Sequence, residues 1–149
     1  MNTIDSVVKS MQTDVAIAKE LDFLRRYEKR TNTFLDSVIY HLSCDVILKF
    51  LGLTDFDNMK YQDNLCVDPT HYTCRELKII ENIRNKYKPF CNKMVAHVTT
   101  CDVIAKATLN DLEQMVSLII RANWYCCSNG ALDNYLRPML QRAISEVST

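Results

Sequence analysis

Residues 4–51 contain neither proline nor glycine, and this feature limits what the chain can fold into more than any other. Both residue types disrupt helix interiors, so a long segment without them favours helices. Within the segment, apolar residues recur every three or four positions, as they do along one face of an amphipathic helix. Two such stripes occur: Val7, Met11, Val15, Ala18, Leu21 and Leu24, then Leu35, Val38, Ile39, Leu42, Val46 and Phe50.

One helix over this whole segment would be far longer than the usual ~10–14 residues. We therefore predict either two helices or one long helix with a bend near Thr31-Asn32-Thr33, where polar side chains compete for backbone hydrogen bonds. Gly52 is expected to follow the second helix as its C′ residue. Residues 53–72 hold several Asp and Asn residues and little periodicity, which predicts the longest irregular segment of the chain.

The segment from Glu76 to His97 combines an apolar stripe with basic, amide and imidazole side chains on its other face. Thr73 is the expected N-cap of this third helix, with Glu76 as its capping-box partner. Pro89 lies inside the segment and predicts a kink or a restart near Lys88. The apolar stripe is Leu77, Ile80, Ile83, Tyr87, Phe90, Met94 and Val95, and the polar face is Arg84, Asn85, Lys86, Lys88, Asn92, Lys93 and His97.

Two further helices are predicted in the last third of the chain. Thr108 and Asp111 are favourable residues for the start of the first one. After a break at residues 128–130, residues 132–147 show helical periodicity again. Because no strand alternation occurs, we predict an all-α fold, a helical bundle of about four core helices plus a shorter terminal helix, in a single domain over residues 1–149.

The balance of charges limits the classes of function. Lys and Arg together number 18, and so do Asp and Glu, so the chain lacks the overall basic field of many nucleic-acid-binding proteins. A local basic patch at Arg25, Arg26, Lys29 and Arg30 is interpreted either as a solvated helix face or as a phosphate-contacting surface. A membrane is not an expected partner, because no apolar run approaches the ~20 residues of a spanning helix.

The cysteines predict reduced thiols and no metal site. Their number, seven, is odd, and the start of the chain lacks the pattern of a signal peptide, so we expect a cytoplasmic protein. The pairs His41-x-x-Cys44 and His71-x-x-Cys74 fall in different elements and no CxxC occurs, so neither a metal nor another cofactor is expected. Cys91 is interpreted as a core or interface thiol rather than a nucleophile, because nothing supplies a third orienting group.

The run Asn92-Lys93-Met94-Val95-Ala96-His97 resembles the motif of the HEPN superfamily of helical proteins, particularly its AbiU2-like branch, which is linked to abortive infection. That motif is an Arg, a polar residue that is often Asn, about four further residues and a His. Asn92 matches the polar position, His97 matches the His, and Lys93 opens the Lys-x-x-Ala-His ending of the AbiU2-like version. The stretches FLDSVIYHLSCDVIL and TLNDLEQMVSLIIRA are similar in pattern to that branch, so the resemblance covers about residues 15–125.

The resemblance implies a HEPN-like bundle and, in RNase-type members, a metal-independent RNA cleavage site built across a dimer. In such a site Arg would stabilise phosphate charge and His would assist proton transfer. Here Cys91 stands at the position of the Arg and supplies no cation. The candidate catalytic residues are therefore His97 and Asn92, with Lys93 or Arg84 as the replacement cation.

These residues predict a catalytically degenerate HEPN-like module that binds nucleic acid, a nucleotide or a protein partner in a defence or toxin–antitoxin type system. The expected partners are a second copy of the chain in a homodimer, RNA or a nucleotide, and a protein antitoxin. One alternative is an active metal-independent RNase that uses His97 with Arg84 or Lys93. A second alternative is an unrelated helical bundle that binds a small ligand.

Overall fold

The computed structural model describes residues 3–27, 33–56, 66–96 and 109–123, together with the residue pairs 138–139 and 141–142. Within these ranges all regular structure is helical and no strand occurs, which confirms the all-α prediction. The predicted terminal helix over residues 132–147 lies outside the described residues except for those two pairs, which are helical. The elements are α1 (Thr3–Tyr27), α2 (Thr33–Leu53), a short 3₁₀ helix (Pro69–His71), α3 (Cys74–Ala96) and α4 (Leu109–Asn123).

Helices α1 and α2 pack against each other as an antiparallel pair. The start of α1 lies beside the end of α2, where Lys49 Nζ donates to Ser10 Oγ at 2.6 Å. The end of α1 lies beside the start of α2, where Arg25 Nη1 donates to Asp36 Oδ1 at 2.6 Å. Whether α1 and α2 are two separate helices or one bent helix is decided at residues 28–32, which lie outside the described residues. None of the described helices combines the length and apolar character needed to cross a bilayer.

The core lies between the four helices and is built from the apolar stripes that the sequence predicts. Met11, Phe50, Ile80 and Ile119, one from each helix, are almost completely buried in one cluster. Burying a side chain of this size stabilises the fold by about 1.5–3 kcal/mol. A smaller cluster closes the other end of the α1–α2 pair and comprises Leu21, Leu24 and Leu35.

The end of α2 differs from the prediction. Helix α2 runs through Gly52 and ends at Leu53, so Gly52 is not its C′ residue. The physical reason is that the chain beyond the helix supplies donors to the last carbonyls. Val67 N donates to Leu53 O at 2.8 Å, and Asp55 N donates to Gly52 O at 3.4 Å. A left-handed glycine cap is therefore not needed to satisfy these groups.

The connection between α2 and α3 is partly ordered by its own hydrogen bonds. Asp68 caps the short 3₁₀ helix by accepting a hydrogen bond from Thr70 N at 2.9 Å. Val67 and Tyr72 are buried against the main core, so the described part of this segment is packed rather than purely polar. The prediction that 53–72 is the longest irregular segment falls partly on residues 57–65, outside the described ranges.

Helix α3 begins with the predicted capping box. Thr73 N donates to Glu76 Oε1 at 3.2 Å, and Glu76 N donates to Thr73 Oγ1 at 3.2 Å. The two residues thereby satisfy two donors that the start of a helix leaves without intrahelical partners. The helix consequently starts at Cys74, close to the position that the sequence indicates.

Of the kink or restart predicted near Lys88, the restart does not occur. The helix continues through Pro89 to Ala96 without a break in its assignment. Proline lacks an N–H, so the carbonyl of Asn85, four residues earlier, loses its intrahelical donor. Asn85 is exposed, and water can therefore satisfy that carbonyl at little cost. The unbroken helix fixes how far residues before Pro89 lie from residues after it.

Candidate functional site

The four candidate catalytic residues lie along and just beyond the second half of α3. Arg84 is described in full, and Asn92 and Lys93 belong to the last turns of the helix. His97 and the side chains of Asn92 and Lys93 lie outside the described residues. Because α3 is unbroken, twelve residues at a rise of 1.5 Å put Arg84 ~18 Å along the axis from Ala96, the neighbour of His97. That separation is more than twice the reach of an arginine side chain.

Arg84 connects α3 to the end of α2. Its Nη1 atom donates to the main-chain oxygen of Leu51 at 2.6 Å and to Thr54 Oγ1 at 2.7 Å. The Thr54 hydroxyl in turn donates to Phe50 O at 2.7 Å. The Leu51 carbonyl is one of the last four of α2, which lack intrahelical donors, and a cation is favourable at that end of a helix. Arg84 therefore has a structural role that the sequence does not reveal.

A groove of about 450 Å³ lies beside Arg84, between the end of α2 and the middle of α3. Its polar side comes from one face of α3, where Glu81, Arg84, Asn85 and Lys88 follow the helical repeat. The side chains of Glu81, Asn85 and Lys88 are exposed, and they make no hydrogen bond or ion pair with the described part of the chain. Its apolar side is formed by Phe56, Pro69, Leu77 and Ile80.

Two other grooves lie between α1 and α4, and their cations are already paired. Lys19 Nζ lies 2.5 Å from Glu113 Oε1, and both residues line both grooves. Arg26 Nε lies 3.0 Å from Asp22 Oδ2 in one of them. Ion pairs of this kind leave little net charge to attract a ligand. The groove beside Arg84 is therefore the better candidate for recognition of a charged molecule.

The basic patch at the end of α1 is ion-paired where it is described. Arg25 contacts Asp22 Oδ1 at 2.5 Å and Asp36 Oδ1 at 2.6 Å, and Arg26 also contacts Asp22. These contacts favour the interpretation as a solvated helix face over a phosphate-contacting surface. Lys29 and Arg30 lie outside the described residues.

Tyr87 and Lys86 connect α3 to α4 through Asp111. The buried Tyr87 hydroxyl donates a short hydrogen bond to Asp111 Oδ2, and Lys86 Nζ lies 2.7 Å from the same oxygen. Burial and the neighbouring carboxylate raise the pKa of the Tyr87 phenol well above its ordinary value, so the hydroxyl keeps its proton. The sequence predicts Tyr87 only as an apolar position, because a cross-helix hydrogen bond leaves no periodic signal.

The two His-x-x-Cys pairs do not converge. His41 Nδ1 lies 2.7 Å from Ser37 O on its own helix, and Cys44 is buried. His71 lies in the short 3₁₀ helix, 3.8 Å from Asp68 Oδ2, whereas Cys74 is exposed at the start of α3. In the described part of the chain, no group of three His, Cys, Asp or Glu residues has the arrangement to hold a metal ion.

A pair of carboxyl groups, Asp14 on α1 and Asp45 on α2, lies between these helices. Desolvation and the hydrogen bond and charge of Asp45 raise the pKa of Asp14 to about 7. The bond to Asp14, together with Lys49, lowers the pKa of Asp45. The proton therefore resides on Asp14, which donates it to Asp45. If both groups were ionised, the buried Asp14 Oδ2 would have no donor.

The free energy of unfolding is expected to fall as the pH rises from about 4 to about 7. Over this range folded Asp14, with its raised pKa, retains a proton that the unfolded chain has released. The lowered pKa of Asp45 changes the free energy of unfolding only below this pH range. Asp14→Asn keeps an N–H donor toward Asp45 at every pH and should flatten the profile. At about pH 8 the Asp14→Asn variant should be more stable than the unmodified protein by no more than about 1 kcal/mol, because water screens charges at this partly exposed site.

Urea unfolding of both proteins across this pH range measures the effect. A profile in the unmodified protein that is flat or rises with pH would contradict the assignment of the proton to Asp14. The assignment would also be contradicted if the Asp14→Asn variant showed the same dependence of unfolding free energy on pH as the unmodified protein.

No family model matches the chain, and comparisons with curated proteins and with solved structures found no match either. The function must therefore be inferred from the residues themselves and from the geometry around α3.

Proposed function

We propose that the protein is a HEPN-like binding module of the AbiU2-like type, whose site has lost efficient RNA cleavage. In this proposal it acts in the cytoplasm as a homodimer within a defence or toxin–antitoxin type system. The C-terminal part of α3 binds RNA or a nucleotide, and a protein antitoxin is the further partner. The proposal rests on the motif residues Asn92, Lys93 and His97 and on the state of Arg84.

The observation that carries the proposal is that Arg84 is already engaged. Its Nη1 atom holds Leu51 O and Thr54 Oγ1 at the end of α2. Along the unbroken helix it lies ~18 Å from Ala96, so within one chain it is too far away to serve beside His97. Cys91 supplies no charge at the motif's Arg position. This leaves Lys93 as the only motif cation.

Lys93 is a poor replacement for the missing arginine. A lysine ammonium is a compact, strongly hydrated point charge, whereas a guanidinium binds phosphate oxygens through a planar fork. Losing one preorganised stabiliser of developing charge commonly costs about 10²–10³-fold in rate. A proton-transfer residue such as His97 contributes about 10²–10⁴-fold and does not replace that stabilisation. Lys93 and Asn92 are nevertheless suited to holding a phosphate group without cleaving it.

Cleavage of labelled single-stranded RNA tests this proposal. The purified protein should bind the RNA in fluorescence anisotropy but show little or no cleavage. Cys91→Arg should raise cleavage by about 10²-fold or more, because it restores the cation. His97→Ala should then abolish the gain. Cys74→Arg is the matched control, since it adds an arginine at the exposed start of the same helix.

Efficient cleavage by the unmodified protein that His97→Ala removes would favour the active-RNase alternative with Lys93 as cation. Failure to bind RNA or nucleotides would contradict the proposed ligand. Sedimentation tests the dimer separately, and a monomer at micromolar concentration would contradict that part.

A second candidate function, binding of a small ligand by a helical bundle, is favoured by one specific observation. This is the groove beside Arg84, which joins an apolar side to polar groups of α3 that have no partner in the described part of the chain. Sites of this mixed character are typical of small-molecule recognition.

A further inference from the structure

The groove beside Arg84 has the dimensions of a ligand site. Its volume of about 450 Å³ falls within the range of about 300–1,000 Å³ that small-molecule pockets occupy. One side is apolar and includes Phe56 and Leu77, and the other side is a polar face of α3. The Phe56 ring lies beside the Tyr72 ring, with 6.4 Å between the ring centroids. A flat apolar group of a ligand can therefore pack against the apolar side of the groove.

Arg84 is a preorganised cation at the edge of this groove. Both of its described hydrogen bonds are made by Nη1, to Leu51 O and Thr54 Oγ1. These bonds hold the planar guanidinium in place and leave the donors on Nη2 and Nε for another acceptor. No carboxylate neutralises it among the described residues. Because the side chain is already ordered, binding an anion costs little further side-chain entropy.

Lys88 and Asn85 complete the polar face. Lys88 lies one helical turn beyond Arg84, is exposed and has no partner among the described residues. Asn85, adjacent to Arg84, adds an amide donor. Among the described residues that line the groove, Glu81 is the only one with a carboxylate, and it lies at the N-terminal end of this face. The described lining residues therefore carry two cations and one carboxylate, a net positive charge concentrated between Arg84 and Lys88.

We propose that this groove binds a small organic anion. Its carboxylate or phosphate group is held by Arg84 and Lys88, and its apolar group packs against Phe56 and Leu77. Arg84 can bind the anion through Nη2 and Nε while Nη1 keeps its hydrogen bonds to Leu51 O and Thr54 Oγ1 at the end of α2. The inference rests on the second candidate function, whose ligand class it names, and not on the RNA-binding proposal, because the described residues that line the groove do not include the motif residues.

Isothermal titration with three probes tests the inference. Phenyl phosphate and phenylacetate carry the same ring, the first with a phosphate group and the second with a carboxylate. Comparing them shows which of the two anionic groups the groove prefers. Inorganic phosphate measures the anion alone. We expect saturable binding of at least one aromatic probe, at least about 10-fold tighter than inorganic phosphate, because burying the ring adds favourable free energy.

Three variants assign the binding to the groove. Lys88→Gln should lower the affinity for the aromatic probe about 10-fold or more, since it removes one of the two cations. Glu81→Gln should strengthen binding of that probe, because it removes a negative charge that lines the groove. Lys78→Gln is the matched control: it removes another exposed cation from the same helix, outside the groove, and should leave the affinity for the probe within about 2-fold. Arg84 is left unchanged, because its loss would also loosen α2.

The inference fails if neither aromatic probe binds saturably up to about 10 mM. It also fails if Lys78→Gln weakens binding as much as Lys88→Gln, since the attraction would then be nonspecific. Equal affinity for inorganic phosphate and phenyl phosphate would overturn the role of the apolar side. A His97→Ala protein that loses RNA binding but still binds the probe would separate this site from the proposed function.

Discussion

Replacing Arg84 with methionine is expected to lower the free energy of unfolding by about 2 kcal/mol. Methionine keeps the apolar stem but removes the charged donor that satisfies Leu51 O and Thr54 Oγ1. The Leu51 carbonyl would then have no donor at the end of α2. For a chain of this size the corresponding fall in melting temperature is about 4–8 °C. Urea unfolding measures the free energy and thermal unfolding measures the melting temperature, both monitored by helical circular dichroism.

Lys88→Met is the control for this variant. It removes a cation one turn further along α3 that has no partner in the described structure. Surface changes of this type usually alter stability by no more than about 0.5 kcal/mol. If Arg84→Met were as mild as Lys88→Met, the hydrogen bonds at the end of α2 would not hold the fold.

A larger loss, about 3–5 kcal/mol, is expected for Phe50→Ala. Phe50 is 0% exposed and belongs to the cluster in which all four helices take part. The substitution removes the ring and leaves a cavity that close-packed neighbours fill only partly. The midpoint of urea unfolding should fall sharply while the slope of the transition stays the same.

Phe34→Ala is the matched control because it makes the same chemical change on the same helix. Phe34 is 48% exposed at the start of α2, so its removal should cost about 1 kcal/mol or less. Equal losses for the two variants would contradict the position of the core between the four helices.

The helices could be predicted from the sequence because their signals are local. The apolar repeat in residues 4–51 and the Thr73–Glu76 capping box involve neighbours three or four positions apart. Such signals survive in a sequence without any knowledge of the tertiary fold. The all-α class and the start of α3 follow from them.

The errors fall where distant groups decide the outcome. Gly52 remains inside α2 because Val67, from the far side of the connection, donates to the carbonyl of Leu53. Arg84 has the spacing of a polar-face residue, yet its partner Leu51 lies 33 positions earlier in the chain. Periodicity contains no information on contacts of that separation. The grouping of His97 with a cation stays a prediction, because His97 and the side chain of Lys93 lie outside the described residues.

The double duty of Arg84 has a consequence for how this protein can evolve. A substitution at Arg84 that altered ligand preference would also remove the hydrogen bond to Leu51 O, and marginally stable proteins tolerate few such losses. Glu81, Asn85 and Lys88 have no partner in the described structure, so selection can vary them without endangering the fold. New ligand specificities should therefore arise by substitutions at these three positions, while Arg84 itself is kept.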